Sequence, residues 1–399
     1  MSGQVGFIVG NGGGSAADTM ECAVMTRRVL GVLLVVGLFG CTKAPPPKKV
    51  EPAPPPDPRA EVREAVRFIY STLETGDPDP LAGRLAPDVM AYGLAPSDTW
   101  AQRDPVINVA RQALLAIGLG TATLRIRTGR IDVGVAPDGR SAWFWDVPRV
   151  EWETKARSTK WLVRVSGHLI KTDERWLVDA VHVSLAVPDE KIFAADAARK
   201  YLPPADVLAE RGADSDQLVG LSRRVLDDVG VKYERVSERP EVVIIGTGPS
   251  EFFENGKKFK ELLKPQLAAL KKSVFSYKVD GPIRARLSPG GRTGWVAANV
   301  VLRQGSGKKT ITAPPFRVLW VFAEENGVWN LVSEHQSLAL KDELRTPATD
   351  EELLAFEAID AARRARVDPR DGKSDARSGA APASRPPAPP PDGGLAAFD

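Results

Sequence analysis

The sequence predicts an α+β fold made of two tandem copies of one module, each with helices first and a curved antiparallel sheet after them. The closing strand-like segment RWLVDAVHVSLAVPDE at residues 175–190 returns as VWNLVSEHQSLALKDE at residues 328–343. Further matches recur along the chain at an offset of 152 or 153 residues. A period of that size indicates tandem domains, because solenoid repeats are only about 20–50 residues long. The matched pairs include Trp143/Trp295, Arg164/Arg317, Trp176/Trp329, His182/His335 and Ser184/Ser337.

Both copies show the same order of predicted elements. Apolar residues at helical spacing predict a first helix within residues 62–73 and again within 218–226. A short apolar strand follows, at 89–92 and 242–245, and then a second helix at 106–117 and 257–270. Four strands complete each copy, with turn signals at 137–139, 172–173, 289–291 and 326–327.

The N-terminal region has the features of an export signal. Two arginines precede an apolar run at 29–39, which is shorter than the about 17–25 residues that a membrane-spanning helix needs. The run fits the core of a secretory signal peptide over residues 25–41, so we expect Met25 to be the start and residues 1–24 to be a wrongly assigned start. The end of the run, LFGC, resembles a bacterial lipobox with Phe39 in place of the usual smaller residue. That resemblance implies lipidation at Cys41 and a membrane anchor.

The residues between the signal and the domains predict a tether. Residues 42–58 are rich in proline, which favours an extended and semi-rigid polyproline II spacer. The residue after the cysteine is Thr42 and not aspartate, and by resemblance to enteric lipoproteins this implies the outer membrane, facing the periplasm, rather than the inner membrane. The remaining predicted boundaries are a first domain at 59–190, a linker at 191–213, a second domain at 214–345, a C-terminal helix at 346–366 and a disordered tail at 367–399.

Composition excludes several classes of function. The net charge of +3 leaves no basic footprint for nucleic acid. Three histidines and two cysteines provide no zinc-ligand spacing, so we expect no metal ion. The segment GSGKKT at 305–310 looks like the end of a phosphate-binding loop, but Leu302 stands where the first glycine should be, and we expect no cofactor.

Three shared motifs carry a resemblance to a known family. They are G-x-x-P-S at 93–97 and 246–250, G-R-x-x-W at 139–143 and 291–295, and W-x5-H-x-S at 176–184 and 329–337. Together they resemble the SnoaL-like branch of the NTF2-like superfamily, whose fold is a cone of helices on a curved sheet. The family includes isomerases, dehydratases, carriers and non-catalytic binding modules, and the fold alone does not choose among them. Its modules often pair through their sheets, which implies that the two domains could form an intramolecular pseudo-dimer.

The repeated histidines are the first candidates for a functional site. Strand alternation places His335 and Ser337 on the less polar face of their strand, so we expect that face to line the inside of the cone. His182 and His335 could serve a ligand or a proton transfer near neutral pH. The alternative, which we favour, is that each imidazole hydrogen-bonds a neighbouring serine, such as Ser184 or Ser337, or a backbone carbonyl, and orders the strand.

Arginines and tryptophans are the second set of candidates. Arg164 and Arg317 could bind an anionic ligand bidentately, although such arginines more often point outward or pair with an acid. Trp143 and Trp295 are candidate ligand contacts and are more often core residues. Acids that could assist a histidine are not evident: Asp179 and Glu334 have the opposite strand parity from the histidines, and Asp98 and Glu251 follow the P-S elements, where they could cap a loop.

Three functions remain open from these residues. The favoured one is a membrane-anchored envelope protein whose two domains bind an apolar or mildly anionic small ligand, or an envelope protein, without catalysis. The second is an isomerase-like or dehydratase-like acid–base enzyme with His335 as the base. The third is a structural scaffold with no ligand pocket.

Overall fold

The chain folds into two modules with the order of elements that the repeat predicts. The computed structural model describes residues 57–129, 131–173, 175–188, 191, 215–268, 275–304, 311–312, 314–341 and 344–365. The predicted signal peptide with Cys41, most of the tether, most of the 191–213 linker and the 367–399 tail lie outside the described residues. Within the described part of the chain, no helix is long and apolar enough to cross a bilayer.

The first domain opens with helix α1 (Pro58–Thr75), which the sequence delimits at both ends. The Asp57 side chain accepts a hydrogen bond from the Arg59 amide at 3.0 Å, and Pro58 occupies the first turn, where its missing N–H is not needed. Gly76 ends the helix at φ 77°, a left-handed conformation that favours glycine. A 3-10 turn (Asp79–Gly83) and helices α2 (Arg103–Ala113) and α3 (Leu115–Gly118) follow.

The main sheet of the first domain has six strands in the order β2-β1-β9-β8-β5-β4. All neighbours are antiparallel except β1 and β9, which run parallel. The strands are β1 (Leu85–Tyr92), β2 (Thr99–Trp100), β4 (Asp132–Val135), β5 (Ser141–Asp146), β8 (Arg164–Thr172) and β9 (Arg175–Ser184).

A second, three-stranded sheet in this domain was not predicted. It has the order β3-β6-β7 and consists of β3 (Ala122–Arg127), β6 (Arg149–Thr154) and β7 (Ser158–Leu162). We expected only four strands after the helices, whereas the first domain has seven. The chain leaves the main sheet at Pro148, whose missing N–H cannot continue a ladder and whose carbonyl accepts from the Val163 amide at 3.0 Å.

The second domain repeats the plan with fewer additions. Its main sheet has the order β11-β10-β16-β15-β13-β12, with β14 paired to β13. The predicted helix at 257–270 is interrupted after Leu263 by a 3-10 turn (Lys264–Gln266), because Pro265 has no amide hydrogen for the helical ladder, and residues 267–268 are helical again. The elements are α4 (Asp216–Asp227), α5 (Val229–Arg235), α6 (Gly256–Leu263), β10 (Val243–Ile245), β11 (Phe252–Glu254), β12 (Phe275–Leu287), β13 (Thr293–Gln304), β14 (Ile311–Thr312), β15 (Phe316–Glu325) and β16 (Val328–Ser337).

A C-terminal helix, α7 (Asp350–Ala365), follows the second domain. Its start is a capping box: the Glu352 amide donates to the Thr349 hydroxyl at 3.2 Å, and the Glu352 carboxylate accepts from the Thr349 amide at 2.8 Å. The helix lies within the predicted 346–366 segment.

Both closing strand pairs contain a bulge at the same place in the repeat. In β8–β9 the register shifts between His168 and Leu169, which leaves Asp179 as an extra residue. In β15–β16 it shifts between Val321 and Phe322, which leaves Val332 as the extra residue. An extra residue changes which side chains share a face, so strict alternation fails on either side of it.

Candidate functional site

The two repeated histidines meet each other between the domains. The rings of His182 and His335 stack with centroids 3.9 Å apart and planes 17° apart, and both side chains are fully buried. Glu334, the neighbour of His335 on β16, points the other way and accepts from Lys232 of helix α5 at 2.8 Å. Our expectation that the His335 face lines the cone was therefore wrong. Both faces of β16 are buried, so the distribution of polar residues does not identify the inner one.

Serines of the opposite domain hold the imidazoles. Nδ1 of His335 shares a hydrogen bond with Oγ of Ser166 at 2.9 Å, and Nε2 shares one with Oγ of Ser184 at 2.7 Å. Nε2 of His182 shares one with Oγ of Ser337 at 2.7 Å. A neutral imidazole has one donor and one acceptor nitrogen, and a hydroxyl can complement either.

The pairing is asymmetric at one nitrogen. Nδ1 of His182 has no partner in hydrogen-bonding geometry within the described residues. The cause is a difference between the repeats: Ser166 is the cross-strand neighbour of His182, while the equivalent neighbour of His335 is Leu319, which has no hydroxyl.

Burial sets the protonation of the pair. It lowers the pKa of both histidines well below their ordinary value. The charge of the other ring lowers the pKa of His182 further, and the charges of Arg164 and Arg317 lower that of His335. Both rings are therefore neutral at physiological pH.

The matched arginines bind the G-x-x-P-S loops across the interface. Arg164 donates to the carbonyls of Gly246 at 2.9 Å and of Gly248 at 2.7 Å. Arg317 donates to the carbonyls of Gly93 at 2.6 Å and of Ala95 at 3.1 Å. The guanidinium donors that could hold an anionic ligand are thus directed at backbone oxygens.

Burial lowers the pKa of both arginines, and two acids stabilise the loops that the arginines bind. Burial lowers the pKa of Arg164 and of Arg317 to about 10 each. The acids after the P-S elements brace the loops: Asp98 accepts from the Ala95 amide at 2.7 Å, and Glu251 accepts from the Gly248 amide at 2.8 Å. Within the described part of the chain, neither acid hydrogen-bonds a histidine.

Both candidate tryptophans also reach the opposite domain. Trp143 donates from Nε1 to the Glu241 carbonyl at 3.0 Å, and Trp295 donates to Oδ2 of Asp179 at 3.1 Å. Both are fully buried in the core.

A hydrogen-bonded chain of acid, imidazole and hydroxyl was missed by the sequence reasoning. Oδ1 of Asp179 lies 2.6 Å from Nδ1 of His168, and Nε2 of His168 lies 2.7 Å from Oγ1 of Thr293 in the other domain. The connectivity is that of nucleophilic triads, but all three side chains are fully buried. The bulge turns Asp179 to this side of the sheet, and strict alternation had assigned it to the other.

The interior of the first domain contains a tyrosine and an acid that the sequence did not bring together. Tyr70 of α1 is buried, and burial raises its pKa well above the usual value. The nearby charge of Asp146, at the end of β5, raises that pKa further. Besides the chain of Asp179, His168 and Thr293, this pair is a second place where the described interior holds an acid beside a hydroxyl group.

A surface cleft of about 650 Å³ lies elsewhere, and none of the predicted site residues lines it. Its arginines pair with acids, as in the contact of Arg292 with Glu324 at 2.6 Å. Among the described residues, no group of three histidines, cysteines or acids is placed to hold a metal ion.

Comparison with solved structures gives many partial matches at low identity. A protein with a cystatin-like fold from Caulobacter vibrioides is 14% identical, with 33% of this chain and 91% of that chain covered and a TM-score of 0.27. An NTF2-like protein of unknown function from Pseudomonas putida is 15% identical, with 33% and 87% covered and a TM-score of 0.28. An NTF2-like protein from Novosphingobium aromaticivorans is 15% identical, with 32% and 80% covered and a TM-score of 0.28. No curated protein matches the chain.

A family model gives the more decisive comparison. The model of the SnoaL-like domain matches residues 62–188 and again residues 231–341, which together exceed half of the chain. Each matched stretch lies within one of the two modules of the fold, and the second stretch begins after helix α4. This protein belongs to the SnoaL-like domain family, and its chain contains two copies of the domain.

Proposed function

We propose that this protein is a lipid-anchored protein of the cell envelope whose two SnoaL-like domains act together as one non-catalytic binding unit. The observation that carries the proposal is the bonding of His335. A general base must present a ring nitrogen to its substrate, and both nitrogens of His335 are engaged by serines of the other domain. An isomerase or dehydratase with His335 as its base is therefore disfavoured, because this imidazole has no ring nitrogen left for a substrate.

The same contacts favour a protein partner over a small ligand at the matched residues. The histidine, serine, arginine and tryptophan pairs all join the two domains, and the guanidinium groups of Arg164 and Arg317 are directed at carbonyls. Binding of an apolar or mildly anionic small ligand would have to use other residues. An envelope partner would therefore bind the outer surface of the two domains.

Anchoring rests on the signal-like segment that ends in Cys41. Acyl chains on this cysteine would hold the protein at the membrane, because each buried methylene contributes about 0.8 kcal/mol. The proline-rich tether at 42–58 would extend by about 50 Å at about 3.1 Å per residue. The domains would then stand off the outer membrane on its periplasmic side.

The anchor is tested by intact-mass measurement of the full chain extracted from its host. We expect a mature protein that begins at Cys41 and carries acyl chains, together with recovery in the membrane fraction. The Cys41→Ser variant is the matched control and should lack the added mass and leave the membrane fraction. Equal membrane recovery of both forms would overturn the anchor.

The binding role is tested by native mass spectrometry of the protein released gently from its host. We expect a co-purifying protein and no small molecule in the cones. A bound small molecule that the protein converts would overturn the non-catalytic role. Protein that stays alone under crosslinking in the host would favour the structural scaffold instead.

One observation favours a second candidate, an acid–base enzyme of the first domain. Tyr70 and Asp146 are buried together inside that domain, and a raised tyrosine pKa keeps the hydroxyl protonated as a donor. If native mass spectrometry finds a bound molecule that is converted, Tyr70→Phe should abolish conversion, whereas His335→Gln should not.

A further inference from the structure

Helix α7 follows the second domain in sequence but contacts the first. The Ala348 amide, just before the helix, donates to the Lys160 carbonyl of β7 at 2.8 Å. Within the helix, Glu357 accepts from Nη1 of Arg149 on β6 at 2.6 Å. The C-terminal segment is thus held on the three-stranded sheet of the first domain.

Arg149 is a buried cation whose partner is exposed. Its side chain is 10% exposed, whereas that of Glu357 is 56% exposed. Nε of Arg149 is buried and has no hydrogen-bond partner within the described residues. Guanidinium groups commonly bind a carboxylate through two parallel hydrogen bonds, whereas among the described contacts Glu357 accepts one hydrogen bond from Arg149. The arginine therefore retains capacity for another carboxylate.

The residues of α7 that face the first domain, its docked face, have the spacing of a helix that binds in a groove. Its members are Leu353, Phe356, Glu357 and Asp360, at positions i, i+3, i+4 and i+7. Leu353 and Asp360 are buried, while Leu354 and Ile359 are among the most exposed large apolar residues of the described chain. Apolar side chains therefore lie both on the docked side of α7 and on its outer side.

The end of this face lies over the interior of the first domain. A Cβ placed on Gly129 would lie 3.2 Å from Oδ1 of Asp360 and 3.7 Å from Oδ1 of Asp146. The acid of α7 and the acid beside Tyr70 therefore approach the same point.

We propose that α7 is a releasable internal ligand of a groove on the first domain, and that this groove accepts an acidic amphipathic helix of a partner protein, which presents a carboxylate to Arg149. The inference deepens the proposed binding role and rests on it. We expect the partner helix to share the pattern of α7. That pattern is an apolar residue, as at Leu353, a carboxylate four positions later, as at Glu357, and a second carboxylate three positions after that, as at Asp360. The Glu357 side chain of the ion pair that holds α7 is 56% exposed, so water can solvate this carboxylate when the helix is released.

The first test measures release in the full chain by hydrogen exchange. Glu357→Gln should speed the exchange of the α7 amides at least about threefold, while the rest of the first domain stays protected. Glu351→Gln is the matched control, because it removes an exposed charge from the same helix without touching Arg149. Equal exchange in wild type and Glu357→Gln would overturn the proposed hold.

The second test measures competition with a fluorescently labelled peptide of residues 346–365. The full-length Glu357→Gln variant should bind the peptide about tenfold more tightly than wild type, because its internal competitor is weakened. Adding Arg149→Lys, which keeps the charge but removes the planar fork, should reduce that binding about tenfold. Peptide binding that ignores Arg149→Lys, or that is the same in wild type and Glu357→Gln, would overturn the proposal. Neither readout depends on Cys41 or on turnover, so this inference can fail while the proposed function stands.

Discussion

His182 of the first domain stacks on His335 of the second, with ring centroids 3.9 Å apart and planes 17° apart. Ser166, Ser184 and Ser337 hold the stacked pair through hydrogen bonds that all cross between the domains. Two imidazolium ions could not share this buried space without strong repulsion. Pairing of the domains and neutrality of the rings are therefore linked.

The stability of the protein should depend on pH through these histidines. In the folded state burial lowers the pKa of both well below the ordinary value, while in the unfolded chain they titrate near about 6.5. Between these values the unfolded state binds more protons, so stability rises with pH and is lost as pH falls below about 6.5. The loss should approach about 1.4 kcal/mol per pH unit for each histidine.

Urea unfolding at pH 7.5, 6.5 and 5.5 measures this dependence. The His335→Gln variant should be less stable at pH 7.5 but should lose less stability on acidification than wild type. A wild-type stability that stays constant from pH 7.5 to 5.5, or rises, would contradict the linkage.

Ser166 should contribute more to stability than a neighbouring buried serine. Ser166→Ala removes the partner of Nδ1 of His335 and leaves that nitrogen buried and unsatisfied, which costs about 1–3 kcal/mol. Ser141 is equally buried, on the adjacent strand β5, and its hydroxyl has no partner among the described residues. Ser141→Ala should therefore change stability by less than about 0.5 kcal/mol. Equal losses in the two variants, measured by denaturant unfolding, would show that the hydrogen bond contributes nothing.

The sequence predicted the plan of the fold but not the roles of its matched residues. The repeat and the helical spacing led to two α+β modules, and the SnoaL-like family and fold are confirmed. The face of β16 was predicted wrongly because alternation identifies an inner face only when the other face meets solvent. Here the other face meets a second domain. A separate error concerned β9, where the extra residue at the bulge turns Asp179 to the side of the sheet opposite to the one that strict alternation assigned.

The contacts of the two arginines could not be predicted from residue types. Arg164 and Arg317 bind backbone carbonyls of the G-x-x-P-S loops, and every residue has a carbonyl. The sequence therefore showed that both arginines and both loops recur, without showing that each arginine binds the loop of the other copy. The second sheet of the first domain was missed because 147–163 has no counterpart among the matched residues.

Arg317 should be needed for the stability of the domain pair. Its fully buried guanidinium donates to carbonyls of three residues of the opposite loop, Gly93, Ala95 and Asp98. Arg317→Lys keeps the charge but cannot reproduce this fork, so we expect a loss of about 3 kcal/mol or more in denaturant unfolding. Arg292→Lys is the matched control at an exposed ion pair and should stay within about 0.5 kcal/mol of wild type. Indistinguishable unfolding midpoints for the two variants would refute the assigned role.

Thr293 should be chemically inert although its hydrogen bonds resemble those of a catalytic nucleophile. Oγ1 of Thr293 lies 2.7 Å from Nε2 of His168, and Nδ1 of His168 lies 2.6 Å from Oδ1 of Asp179, but all three side chains are buried. A nucleophile must meet its substrate, and here both domains and the Trp295 ring close the site. A fluorophosphonate probe should leave the native full chain unlabelled, as judged by intact mass, under conditions that label a serine hydrolase in the same tube. Labelling at Thr293 that disappears in His168→Gln would instead show that the domains separate and that the chain of hydrogen bonds is catalytically competent. Without such labelling, the three residues serve the pairing of the domains, and Asp179→Asn should lower the urea midpoint without changing any activity.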